Sequence, residues 1–235
     1  MARFLLVHGS CHGAWCWERL ISVLEARGHA ARAIDLPSHG AEPTPPAEVT
    51  LDLYARAVAA AVEPGTILVG HSMGGYPITA AAELVPKRIA RLVYLCAYVP
   101  RDGHSLADMR RAAPSQPLLD AIRVDAGRIA FTVDPDLAID RFYHDVPEAV
   151  ARAAVERLCP QAILPQETAL DLRRSPALPR SYIRCRQDRT IPPAFQDEMT
   201  EGWPQGTVFD MESAHSPFLS DPGTLADILH TIAEG

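Results

Sequence analysis

Three side chains that together could make an alcohol nucleophilic occur in this chain in a fixed order: Ser72, Asp188 and His215. Ser72 lies in Gly70-His-Ser-Met-Gly74, a G-x-S-x-G sequence between the apolar run Thr66-Ile-Leu-Val69 and the alanine-rich stretch Tyr76–Glu83. A strand running directly into a helix strains the residue at the bend, and glycines at 70, 74 and 75 clear space for it. Such a turn holds a hydroxyl above the carboxyl end of a sheet, at a helix N-terminus that favours negative charge.

A serine hydroxyl needs a base within reach and a third group to fix that base. Asp188 stands in Arg186-Gln-Asp-Arg-Thr-Ile-Pro192, just past a predicted strand at Arg180–Cys185. His215 stands in Glu212-Ser-Ala-His-Ser-Pro-Phe218, past a predicted strand at Thr207–Met211. The expected roles are Ser72 as nucleophile, His215 as base and then acid, and Asp188 as the ionised orienter of the imidazole. Asp197 and Glu198 fall within a predicted helix, and Asp210 at a strand end is the fallback carboxylate. An oxyanion would need two donors. The expected pair is the backbone N–H of Met73 and that of Ser10, with Gly9 the near alternative, in the loop His8-Gly-Ser-Cys-His-Gly-Ala-Trp15. His8, His12, His39 and His71 are expected to be structural.

These residues require a scaffold. The pattern predicts strands at Arg3–His8, His29–Leu36, Thr66 up to the turn at 72, and Ile89–Ala97, interleaved with helices at Trp15–Arg27 and Leu51–Val62. Strands that are apolar throughout, alternating with helices, indicate a parallel sheet covered on both faces. From residue 100 to 179 the pattern becomes short helical segments (Ser105–Ala113, Leu118–Ile122, Leu137–Tyr143, Pro147–Leu158) with no convincing core strand. It is expected to be a helical lid inserted into a core of residues 1–99 and 180–235. A helix at Pro192–Thr200 and another at Leu225–Ala233 complete the core.

The composition of the 235 residues, 48% hydrophobic and 22% charged, is that of a globular protein with a real core. A net charge of −7 disfavours nucleic acid and anionic membranes as partners. The N-terminal apolar stretch is too short for a signal peptide, and no run approaches the ~20 apolar residues of a membrane span. Cys11, Cys16, Cys96, Cys159 and Cys185 are odd in number and lack metal-type spacing, so buried thiols in a reducing cytoplasm are expected. With no metal-ligand spacing and no phosphate loop, no cofactor is expected.

Five segments together resemble one family: His8-Gly-Ser-Cys-His-Gly-Ala-Trp-Cys-Trp17, Asp35-Leu-Pro-Ser-His-Gly40, Gly70-His-Ser-Met-Gly-Gly75, Asp188-Arg-Thr-Ile-Pro192 with Phe195-Gln196, and His215-Ser-Pro-Phe-Leu219. They are similar to α/β-hydrolases of the branch holding plant methylesterases (salicylate-binding esterases among them), hydroxynitrile lyases and bacterial carboxylesterases such as pyrethroid hydrolases. Leu158-Cys-Pro-Gln161 adds a family-like touch in the weaker 100–179 region. The resemblance implies the α/β-hydrolase fold, a Ser72/Asp188/His215 triad, a helical lid, no cofactor and a homodimer. The lyase branch uses a threonine in the first loop and a lysine directly after the catalytic histidine; the matching positions here are Gly9 and Ser216, which argues against lyase chemistry.

The reading is a serine carboxylesterase acting through an acyl-Ser72 intermediate. Leucine and isoleucine in the lid, with Phe131, Phe142 and Tyr143, suggest an apolar pocket for uncharged, small to medium esters. The other class left open is a ligand-binding receptor with a vestigial triad.

Overall fold

The computed structural model describes residues 1–235. Six strands make one sheet in the order β2-β1-β3-β4-β8-β9, and every neighbouring pair is parallel. They are β1 (Arg3–Val7), β2 (Ala30–Ile34), β3 (Thr66–His71), β4 (Ile89–Leu95), β8 (Arg180–Cys185) and β9 (Val208–Met211). The chain leaves β1 toward β2 on one side and returns to β3 on the other. The loops after β1 and β3 thus diverge at the carboxyl edge and open a crevice there.

Burial on both faces explains the unbroken apolar runs. Phe4 and Leu6 of β1 pack on one side with Leu20 and Leu24 of α1 (Glu18–Ala26) and Leu225 and Leu229 of the C-terminal helix (Pro222–Glu234). Leu5 and Val7 face the opposite layer, formed by α2 (Leu51–Ala61), α3 (Gly75–Leu84) and α8 (Pro193–Met199). Strand side chains alternate between faces, so a sheet with two apolar coats needs apolar residues at every position. No helix is long and apolar enough to cross a membrane.

The segment between β4 and β8 departs from the expected all-helical lid. It has helices α4 (Leu106–Ala112), α5 (Pro135–Phe142), α6 (Glu148–Val155) and the short α7 (Leu164–Glu167). It also holds a second, antiparallel sheet of β5 (Ile122–Val124), β6 (Ala130–Val133) and β7 (Gln161–Ala162). The expected helix at Leu118–Ile122 is a 3-10 turn, Pro117–Ala121, feeding β5. Strands of three, four and two residues are too short to show a period. The hairpin is fixed instead by Asp125, whose carboxylate accepts N–H bonds from Ile129 and Ala130. All five cysteines are free thiols, four of them buried.

Candidate active site

Ser72 follows the last residue of β3 and opens the 3-10 turn Ser72–Gly74 that leads into α3. Its φ of 55° is the left-handed conformation, which costs energy for a residue with a side chain. The bend is held from outside: Tyr98 N–H donates to the Ser72 carbonyl at 3.1 Å. Close approach explains two glycines. A Cβ at Gly75 would run into the Tyr98 carbonyl, and one at Gly9 would sit 2.8 Å from both Ser72 Cβ and His71 Nδ1.

The loops after β8 and β9 bring Asp188 and His215 together in a buried pair. His215 Nδ1–H donates to Asp188 Oδ2 at 2.7 Å. The other carboxylate oxygen accepts backbone N–H bonds from Thr190 at 2.6 Å and Ile191 at 3.0 Å. Gln196 of α8 completes the cradle: its Nε2 donates to Asp188 Oδ2 at 3.0 Å and to Ile191 O at 2.8 Å, and its Oε1 accepts from Cys185 N–H at 2.9 Å. Phe142 stacks on the imidazole with ring centres 5.8 Å apart. With Nδ1 committed as donor, Nε2 of His215 carries the lone pair. Ser72 and His215 line the same cavity, and no hydrogen bond joins the hydroxyl to the imidazole in this structure. Such contacts commonly tighten only once substrate is bound.

Ser10 and Met73 line that cavity as well. Ser10 N–H makes no backbone hydrogen bond, and Met73 N–H lies in the first turn of a helical segment, where donors lack intrahelical partners. Gln166 of α7 donates to Ser10 Oγ at 2.9 Å and ties that loop to the segment above it. The competing carboxylates are engaged elsewhere. Asp210 pairs with Arg184 at 2.8 Å, Asp197 with Arg184 and Arg186, and Glu198 with Arg101.

The four remaining histidines of these loops stitch the site together. Each sets a ring nitrogen against a backbone carbonyl: His8 against Gly9, His12 against Ser10, His39 against Pro37 and His71 against His215. Their second nitrogens reach further for all but His71. His8 accepts from Leu36 N–H and His12 from the Tyr143 hydroxyl at 2.7 Å, whereas His39 Nε2 faces the Gln161 side-chain oxygen, so the single N–H of the neutral ring serves either that oxygen or the Pro37 carbonyl. Burial, the largest cause, lowers the pKa of all four, that of His12 to about 4, so they remain neutral tethers.

One set of potential metal-ligating atoms comes together, from His71, Cys96 and His215, within 4.8 Å of one another. The imidazole of His215 is already tied to Asp188. The Cys96 thiol is pushed up first by burial and then by Cys185, so it stays protonated where a metal needs a thiolate. Ser216, the position where the lyases carry lysine, presents a buried hydroxyl without a partner and no cation.

The cavity has an empty volume of about 580 Å³. Leu106, Leu118, Ile122, Phe131 and Phe142 from the 100–179 region form much of its wall. The roles of Gln166 and His12 were not apparent from sequence, because each depends on a partner far along the chain, and that of Gln196 depends on how the Asp188 loop folds back on α8. The quoted Phe195-Gln196 was the one signal pointing at the last of them.

Residues 4–228 match the model of a family described as "Alpha/beta hydrolase family". The chain is 34% identical to Esterase PIR7B of Oryza sativa subsp. japonica, across 98% of this chain and 95% of that protein. It is 29% identical to Methylesterase 17 of Arabidopsis thaliana, across 96% and 89%. Among solved structures, a pyrethroid hydrolase from Sphingobium faniae JZ-2 superposes with a TM-score of 0.88 at 26% identity, covering 100% of this chain and 98% of that one.

Proposed function

We propose, given that this chain belongs to the α/β hydrolase family and is a hydrolase of the carboxylesterase type, that it cleaves carboxylic esters through a covalent acyl-Ser72 intermediate. His215 Nε2 takes the Ser72 proton as the oxygen attacks the ester carbonyl carbon. The resulting oxyanion accepts hydrogen bonds from the backbone N–H groups of Ser10 and Met73. Collapse breaks the bond to the alcohol, which leaves with the proton from His215. Water then attacks the acyl-enzyme, giving its proton to His215, and the acid departs as Ser72 regains a proton. Asp188 stays ionised throughout and stabilises the transient imidazolium.

The observation that carries this reading is the 2.7 Å His215–Asp188 hydrogen bond, which leaves Nε2 as the free nitrogen on the cavity that Ser72 also lines. The apolar wall favours small to medium esters with a hydrocarbon body, and the 100–179 region is read as a lid over them. The test is release of p-nitrophenol from p-nitrophenyl acetate and butyrate. Turnover by the native chain and its loss in His215→Ala are expected. No turnover of either ester would leave the receptor reading in its place.

A further inference from the structure

Arg110, on α4, is the only Arg, Lys, Asp or Glu on the wall of the Ser72 cavity. Its Nε is shut off from solvent without a hydrogen-bond partner. The guanidinium enters no ion pair, although most arginines of this chain do. The nearest acid along its own helix, Asp108, is taken by Ser105 and Arg111. The residue as a whole is half-buried and an arginine cannot shed its charge; the shielded Nε–H is left without a partner, which costs stability. Beside it, Tyr98 lines the same cavity. Its phenol is raised by burial and drawn back by the Arg110 charge, so it stays protonated as a second donor.

The cavity also continues past Arg110. A second space of about 590 Å³ shares Arg110, Leu119, Ile122, Phe131 and Gln166 with the first. The only other charged residues on its wall are Arg128 and Glu167, which face each other at 3.9 Å. An apolar passage therefore runs from Ser72 to a guanidinium with no counter-charge.

Building on the esterase reading, we propose that the substrate is an ester whose hydrocarbon body ends in a carboxylate, and that Arg110 is the residue that selects it. A planar guanidinium matches a carboxylate in a two-bond fork. A single cation in apolar walls suits one negative charge rather than a phosphate dianion. Arg110 sets which ester is held; the chemistry stays with Ser72. This replaces the uncharged esters suggested by the apolar residues of the lid.

The test uses matched methyl esters, monomethyl glutarate through monomethyl suberate, each against the methyl ester of the monocarboxylic acid with the same carbon number. The readout is the ratio of kcat/KM for the anionic ester to that for its neutral partner. In the native chain the ratio exceeds one at some chain length. Arg110→Met lowers it about 10- to 100-fold, chiefly through KM, as expected for losing a charge-assisted pair. Arg110→Lys keeps part of it, and Arg111→Met on the same helix keeps all of it. A ratio below one at every length, or one unmoved in Arg110→Met, overturns the proposal. If the native chain hydrolyses none of these esters, calorimetric binding of monomethyl suberate to Ser72→Ala, with and without Arg110→Met, decides separately. Binding that depends on Arg110 upholds the anion site while the esterase reading fails; equal binding or none overturns the site.

Discussion

Asp188 Oδ2 and His215 Nδ1 lie 2.7 Å apart although the whole of α8 and the whole of β9 separate the two residues in the chain. The carboxylate can hold that position because three other donors, Thr190 N–H, Ile191 N–H and Gln196 Nε2, hold the carboxylate. Asp188→Asn would keep the two backbone bonds to its oxygen but present an amide NH₂ to the imidazole. His215 would then accept at Nδ1 and carry its proton on Nε2, where it can no longer take one from Ser72. The expected loss in kcat is about 10⁴-fold, with a lowered melting temperature because the same NH₂ would face the Gln196 Nε2 donor. Steady-state kinetics beside a thermal melt checks both.

Gln196 is fully buried and makes three of the bonds that shape this corner. Gln196→Leu would strand the Cys185 N–H and the Ile191 carbonyl and remove a donor from Asp188. Stability is expected to fall by about 2–4 kcal/mol, because unpaired buried groups lose their full solvation. Urea unfolding measures it.

Gly9 leaves no room for a methyl group beside Ser72 and His71. Gly9→Ala is expected to push the first-strand loop away from the turn and misplace the Ser10 N–H. Since one oxyanion donor is worth about 10²–10³ in rate, a loss in kcat of that order should appear with a modest change in KM. Kinetics on p-nitrophenyl acetate decides.

The buried histidines give the stability a definite pH dependence. His12 titrates near 6.5 when unfolded and at about 4 when folded. Between those values the unfolded chain binds a proton that the folded chain refuses, so stability is complete above pH 6.5 and falls as pH drops toward 4. That gap corresponds to about 3 kcal/mol for His12 alone. His12→Gln, which can still donate to Ser10 O and accept from Tyr143, should melt with a shallower dependence on pH between 6.5 and 4. Calorimetric melts across that range would show it.

Much of the fold was legible because the central strands β1, β3 and β4 are largely buried on both faces, unlike the edge strands β2 and β9. Arg180–Cys185 is a strand as expected, although Arg180, Ser181 and Arg184 interrupt its apolar residues. The last helix begins at Pro222 rather than Leu225, since Asp221 caps it by accepting from Thr224 N–H. The small sheet of β5, β6 and β7 was illegible because two to four residues carry no periodicity. Ser72, Asp188 and His215 could be proposed as a set from chain order and strand exits. Arg110 could not, because what distinguishes it is the lack of a partner, and that is a property of the packed chain.

The central claim is that Ser72 becomes acylated. The direct measurement is mass spectrometry of the chain after reaction with a fluorophosphonate, which mimics the tetrahedral intermediate. One adduct on the peptide containing Ser72 is expected, matched by complete loss of esterase activity, and Ser72→Ala should take up no label. An adduct on another residue, or undiminished hydrolysis by Ser72→Ala, would contradict the account.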